Sequence, residues 1–267
     1  MALVILEVIV AALAYAGAAG AVWRHLADGR AYWHVTALAA LGLTAQLIAL
    51  IHISLHAGML VIGLGTALSL FAWQAALLLW LFSLRESVGA LGLVIYPVAA
   101  VCAIAGLLVP DTHSATESLA WPLQVHILLS VLAYGLLTLG AVQAGVLALQ
   151  HRQLRRRPPS GMFVSLPPLQ TMETLLFRLI GSGFFMLSLA IATGTLFIDH
   201  LFAQHLAHKT ILSLVAWLFF AVLLYGRWRY GWRGRVAVRG ALAGYGLLVL
   251  AYFGSKLVLE LILGEHW

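Results

Sequence analysis

Apolar residues along this chain come in eight long runs, near residues 2–22, 34–51, 59–82, 91–109, 123–149, 174–198, 209–226 and 238–263. Each is about the 17–25 residues that a helix needs to cross a hydrocarbon core of roughly 30 Å. Short polar segments separate them. The pattern therefore predicts an all-α integral membrane protein, a bundle of eight transmembrane helices forming a single membrane domain over residues 1–267. The longest polar stretch, residues 150–173, runs from Gln150 and His151 through Arg152, Arg155, Arg156 and Arg157 to Pro158 and Pro159, then to Pro167 and Pro168. Paired prolines and charge stop the fifth helix, and Leu169 to Glu173 start the sixth. Five spans precede this loop and three follow it. No repeat relates the two parts, which speaks against an inverted-repeat transporter. Small residues recur at four-residue spacing in Ala12/Ala16/Gly20, Gly63/Ala67, Ala190/Gly194 and Gly240/Gly244. That spacing predicts close helix packing.

Charge turns the pattern into an orientation. All arginines fall in alternate loops: Arg24 and Arg30, then Arg85, then Arg152 to Arg157, then Arg227 to Arg239, with Arg178 at the start of the sixth run on the same side. The other connections hold His52 and His56, then His113 and His126, then His200, His205 and His208, with His266 near the C-terminus. Basic short loops stay in the cytoplasm, so both termini and the histidine-rich face are expected on the outer, periplasmic side. The first run has no basic segment before it and passes straight into a basic loop, so it reads as a retained helix rather than a signal peptide.

Composition agrees with a membrane protein and narrows its chemistry. Charged residues make up 9% of the chain and hydrophobic residues 63%, against about 25% charged in soluble domains. The net charge of +6 sits beside span ends, where topology and anionic lipid account for it better than nucleic acid does. Cys102 is the single cysteine, so there is no internal disulfide, no CxxC pair and no cysteine-based zinc site. Trp23, Tyr32, Trp33, Trp228, Tyr230 and Trp232 flank the arginine-rich loops as interfacial anchors.

Candidate chemistry gathers on the outer side. His126 follows Trp121 and Pro122, and proline suits a first helical turn, which places the imidazole about one turn below the outer surface. Ser130, Ala133, Leu137 and Gly140 share its helical face, a stripe of mostly small groups with room for a flat ligand. Ionisable groups at this depth are rare and usually functional; the alternative is a neutral histidine bonded to a neighbouring helix. His205 and His208, three apart, and His52 and His56, four apart, each share a helical face and suit Zn²⁺, Cu²⁺ or an axial bond to haem iron. Solvated loop histidines are the alternative there. His113 beside Asp111, and His266, rank below them. Lys256 and Glu260 lie one turn apart in the last run, either as an ion pair or with Lys256 binding an anionic group. Gln46, Gln74, Gln143 and Ser188 are the polar residues deeper in the spans and form no continuous proton relay. No phosphate-binding glycine loop, Ser-His-Asp set or catalytic carboxylate pair is present, so enzymatic activity is not expected.

Several segments carry a family resemblance: Val125-His126-Ile127 through Tyr134, Gly194-Thr195-Leu196, His208-Lys209-Thr210-Ile211-Leu212-Ser213, Trp217, and Gly226-Arg227. They resemble the cytochrome c assembly protein family, which includes CcsA, CcmC and HemX-like members. Leu223-Leu224-Tyr225-Gly226-Arg227, Gly231-Trp232-Arg233-Gly234 and Tyr252-Phe253-Gly254-Ser255-Lys256 look most like its YpjD branch. The resemblance implies an eight-helix bundle that presents haem at the outer face, with His126 at the first outer haem-ligating position. Three departures accompany it. The tryptophan-rich loop of haem-delivering members is replaced by Asp199 to His208, without tryptophan. The second outer histidine position falls within Leu257 to Leu263, and the intramembrane histidine position is Tyr225.

The resulting expectation is a multi-pass protein of the bacterial inner (plasma) membrane that binds or handles haem b near the outer leaflet. His126 is the expected axial ligand and His208 or His205 the second, so that His126 and His208 are the metal-binding pair. Trp121 would stack at the mouth, and Lys209 or Lys256 would offset propionate charge. Expected partners are haem, membrane lipid and other membrane assembly proteins, without nucleic acid. Competing readings are a non-haem adaptor or accessory subunit with a decayed haem site, and an outer-face divalent-metal-binding protein.

Overall fold

The computed structural model describes residues 2–28, 32–56, 60–61, 64–85, 88–109, 114–115, 121–156, 166–197 and 204–251. Eight α-helices occupy most of these: α1 (Ala2–Asp28), α2 (Trp33–His56), α3 (Leu64–Ser83), α4 (Gly92–Leu108), α5 (Trp121–Arg156), α6 (Leu169–Phe197), α7 (Gln204–Tyr230) and α8 (Arg235–Val249). The two-residue segments β1 (Leu60–Val61) and β2 (Ser114–Ala115) pair antiparallel. Seven helices, α1 to α7, are long and apolar enough to cross a membrane. The eighth expected span, 238–263, is described only through α8 and residues 250–251; the rest lies outside the described residues. The fold is the expected all-helical membrane bundle. At 36 residues, α5 is about 54 Å long at 1.5 Å per residue, so its arginine-bearing end projects beyond a hydrocarbon core of roughly 30 Å.

Packing groups the helices differently from the polar loop. One compact unit comprises Met1–Ser118 with Gln153–Pro168, and the other Leu119–Arg152 with Leu169–Trp267. The fifth helix thus packs with those that follow it.

In the first unit, α1 packs on α2 and α4, while α3 bridges α2 and α4. Hydrocarbon offers no hydrogen-bond partners, so polar side chains inside must find one another. Gln46 is 1% exposed; its Oε1 accepts from Tyr15 Oη at 2.8 Å, and its Nε2 donates to the Ser69 carbonyl and Ser69 Oγ at 3.1 and 3.0 Å. Three helices are tied by one amide. Trp73 and Trp80 donate to the Leu43 and Thr36 carbonyls across α2 and α3. Gln74 is also buried, and neither of its amide atoms has a hydrogen-bond partner among the described residues.

The small residues of α1 do not all pack as expected. Its buried face is Val4, Val8, Ala11, Ala14, Tyr15, Ala18 and Val22, whereas Ala16 and Gly20 are exposed. Two small stripes run along this helix, and the one that seats Tyr15 against Gly42 and Tyr96 is buried.

The second unit has a continuous core of Ala133, Leu137, Ala144 and Leu147 from α5, Leu176, Ile180 and Leu187 from α6, Phe220 and Leu223 from α7, and Ala241 and Leu248 from α8. The expected small-residue contacts are formed at Gly240, under Leu223, and at Gly244, under Phe220. Tyr134 Oη donates to the Leu248 carbonyl at 3.1 Å, and Thr138 Oγ1 meets Tyr245 Oη at 2.8 Å, joining α5 to α8. Gln143 Nε2 bonds the Met172 carbonyl at 3.0 Å, joining α5 to α6. Between α7 and α8 the chain reverses through Gly231 and Gly234, at φ 65° and 58°, a region where glycine escapes the steric cost of a Cβ. Trp232 then folds back over Gly226, where an added Cβ would lie 2.3 Å from its ring. Gly226→Ala should therefore cost about 1–3 kcal/mol by overpacking, read as a lower thermal midpoint in detergent. An unchanged midpoint would contradict this close approach.

Candidate functional site

His126 sits in the second turn of α5, half-buried, with its ring against the end of α6. Gly194 makes this approach feasible, since an added Cβ would lie 3.0 Å from His126 Cε1 and 3.2 Å from Nδ1. His126 Nδ1 lies 2.8 Å from the Ala190 carbonyl oxygen. Thr193 Oγ1 is 3.4 Å from the same nitrogen, while its own hydroxyl donates to the Leu189 and Ala190 carbonyls at 3.0 Å. Both neighbours of Nδ1 therefore act as acceptors, so in the neutral ring Nδ1 carries the proton. Nε2 is left with a lone pair. It has no hydrogen-bond partner among the described residues. A backbone carbonyl holding one ring nitrogen in this way fixes the tautomer and aim of metal-ligating histidines. The bond to a neighbouring helix, expected as the alternative to ligation, is thus present, and it leaves Nε2 turned away from that bond.

The face below His126 is more closed than its small residues suggest. Ala133 and Leu137 are fully buried, Leu137 rests where a Cβ on Gly183 would be 2.7 Å away, and Gly140 packs on Ile180. The stripe serves helix approach below Ser130, and only the level of His126 and Ser130 is half-open. Toward the N-terminal side of this contact on α6, Trp217 Nε1 from α7 donates to Ser188 Oγ at 2.8 Å and its ring stacks on Phe184. These contacts fix α7 against α6 beneath the site. Trp121, 67% exposed, stands at the start of α5.

The other predicted residues fare differently. His205, His208 and Lys209 fall on the first turns of α7, whose backbone begins at Gln204; their side chains lie outside the described residues. Lys256, Glu260, His113, His200 and His266 lie outside them altogether, as does the side chain of His56. His52 is described and committed: its Nδ1 meets the Glu7 carboxylate at 2.9 Å, with side chains 33% and 15% exposed. Among the described residues no three His, Cys, Asp or Glu side chains come together as a metal site.

Two polar clusters escaped the sequence reading. Glu7 is one, a lone carboxylate within the first span, and that isolation in an apolar run was its available signal. The other joins Glu173, His151 and Gly234: Glu173 Oε1 accepts from the Gly234 amide at 2.8 Å and lies 3.9 Å from His151 Nε2. Nothing in the sequence brings these three together, because they come from three separate segments.

Residues 34–263 match the cytochrome C assembly protein family. The chain belongs to that family. Its YpjD-like branch is supported by the inner membrane protein YpjD of Escherichia coli (strain K12), 38% identical over 138 residues, which are 52% of this chain and 52% of that protein. The cytochrome c biogenesis protein CcsA of Synechococcus elongatus is 30% identical over 90 residues, 33% of this chain and 28% of that protein. The chain thus spans about half the length of the nearer of these two relatives and less of the other. No solved structure matches it. With seven helices of spanning length among its described residues, this family member is a multi-pass inner-membrane protein.

Coupling between Gly194 and His126 is open to measurement. Gly194→Ala should cost about 1–3 kcal/mol by overpacking in the otherwise native chain, and clearly less alongside His126→Ala. Equal costs in both backgrounds would show that the ring does not rest on Gly194.

Proposed function

We propose that this protein binds haem b near the outer leaflet of the inner membrane, with His126 Nε2 as axial ligand, in the service of cytochrome c assembly. The observation that carries the reading is the 2.8 Å hydrogen bond between His126 Nδ1 and the Ala190 carbonyl. It orients a half-buried imidazole in the second turn of α5 whose other nitrogen, in the neutral ring, carries the lone pair. These residues fit one axial bond. Haem supplies an iron that takes one or two such imidazoles, two giving a low-spin centre. With Cys102 as its single cysteine, the chain has no thiol pair for covalent attachment, which favours haem b.

The remaining roles follow as parts of this proposal. His208 or His205, on the first turns of α7, would provide the second imidazole. Trp121 would cover the mouth as a stacking surface, and Lys209 or Lys256 would offset propionate charge. Family membership and the names of its relatives favour a place among membrane assembly proteins, and haem is the expected ligand rather than a nucleic acid. A non-haem adaptor is the second reading. It is favoured by Tyr225, which stands at the family's intramembrane histidine position and is 53% exposed, in contact with Trp228 and Tyr230 as part of an aromatic interface. An outer-face divalent-metal site draws less support, since His52 is already engaged by Glu7.

Expression with ample haem, purification and a reduced-minus-oxidised spectrum separate these readings. The wild type should show a b-type spectrum. His126→Ala should lower haem affinity at least about 10-fold, the order expected when a metal site loses a ligand or its support. A colourless wild type with a stoichiometric protein partner would support the adaptor, and bound zinc or copper without haem would support the metal site.

Orientation has its own test. In a Cys102→Ser background, Trp121→Cys should react with a membrane-impermeant maleimide from outside intact cells, and Arg85→Cys only after permeabilisation. The opposite labelling would reverse the proposed topology.

A further inference from the structure

At the arginine-rich end of the second unit, α7 and α8 leave a groove of about 530 Å³ between them. Leu218, Phe219, Val222 and Leu223 form one wall, and Val236, Arg239, Gly240 and Ala243 the other, closed by Trp232. The α8 residues are spaced three and four apart, so they form one stripe. Gly240 keeps the floor low, because a Cβ there would lie 2.7 Å from Leu223 Cδ1. The lining is apolar except at one place, the guanidinium-bearing side chain of Arg239.

The charge at this end is one-sided. From Gln204 to Ala251 the chain holds Arg227, Arg229, Arg233, Arg235 and Arg239 and no acidic residue. Arg227 is occupied: it donates to the Trp232 carbonyl at 3.2 Å and lies over Phe177. Arg229 lies over Tyr230. The Glu173 carboxylate, from α6, already accepts from the Gly234 amide. Arg235 and Arg239, one turn apart and exposed, have no acidic partner among the described residues.

We propose that this groove holds one anionic glycerophospholipid, its acyl chain against Leu218, Val222, Val236 and Ala243 and its phosphate against Arg239. Three features select this occupant. The floor is apolar at membrane depth, where acyl chains are the surrounding solvent. The single charged group is Arg239, one helical turn in from the loop end of α8, whose long side chain can reach toward the interface, and basic pockets between transmembrane helices on the cytoplasmic side recognise anionic headgroups. The volume is on the order of one turn of a helix 10–12 Å across, too little to seat a partner helix. The proposal is independent of haem.

Native mass spectrometry of the full-length protein, titrated with phosphatidylglycerol or phosphatidylcholine of identical acyl chains, tests it. Wild type should retain one phosphatidylglycerol in preference to phosphatidylcholine. Arg239→Gln should lower that preference about fivefold, the value of one basic residue near a membrane surface, whereas Arg239→Lys should largely keep it. Arg229→Gln, outside the groove, should leave it unchanged. Ala243→Trp should fill the groove and release either lipid, with unchanged helicity and elution. Absence of a headgroup preference, an equal loss from Arg229→Gln and Arg239→Gln, wild-type retention by Ala243→Trp, or a protein held in place of lipid would each overturn the proposal.

Discussion

Hydrocarbon supplies no hydrogen bonds, and the placement of several polar side chains inside this protein, though not of Gln74, follows from that. Gln46 joins α1, α2 and α3 through Tyr15 and Ser69. Gln143 joins α5 to α6, and Tyr134 and Thr138 join α5 to α8. Each such bond is modest, averaging about 0.6 kcal/mol in measured membrane cases. Their effect is to choose which faces meet, since apolar faces alone are nearly interchangeable in lipid. His126 obeys the same constraint. Its Nδ1 must find an acceptor within the bundle and finds the Ala190 carbonyl, so that in the neutral ring the lone pair falls on Nε2.

That link between structural need and chemical capacity explains how a site can be built from so few polar groups. A histidine facing lipid would shed its charge and turn at will. One held by a carbonyl on a packed helix, with glycine beneath the ring and a threonine beside it, has a single aim. Tyr225, which the family resemblance places at an intramembrane histidine position, is exposed among other aromatic residues, as an interfacial anchor is.

Helix number and the positions of the first seven spans were legible in the sequence because membrane thickness imposes a length on each apolar run. Which face of each helix is buried was less so. In α1 the stripes Ala12/Ala16/Gly20 and Ala11/Ala14/Ala18 are equally small, and only the ring of Tyr15 decides between them. The division after residue 118 was hidden because loop length does not report which helices pack together. At the site, the place of His126 in the second turn of α5 could be read from Pro122. Its partner could not, being a main-chain carbonyl 64 residues away. Glu7 and His52, 45 residues apart, were hidden for the same reason.

The central claim is that His126 Nε2 is the atom that holds haem, and chemical rescue tests it most directly. Haem titration of the purified His126→Gly variant, with and without added imidazole, replaces the side chain while leaving the rest of the chain intact. The account predicts that haem binding and its histidine-ligated spectrum are lost in the variant and restored by imidazole. Haem bound equally well by the variant without imidazole, with an unchanged spectrum, would contradict it.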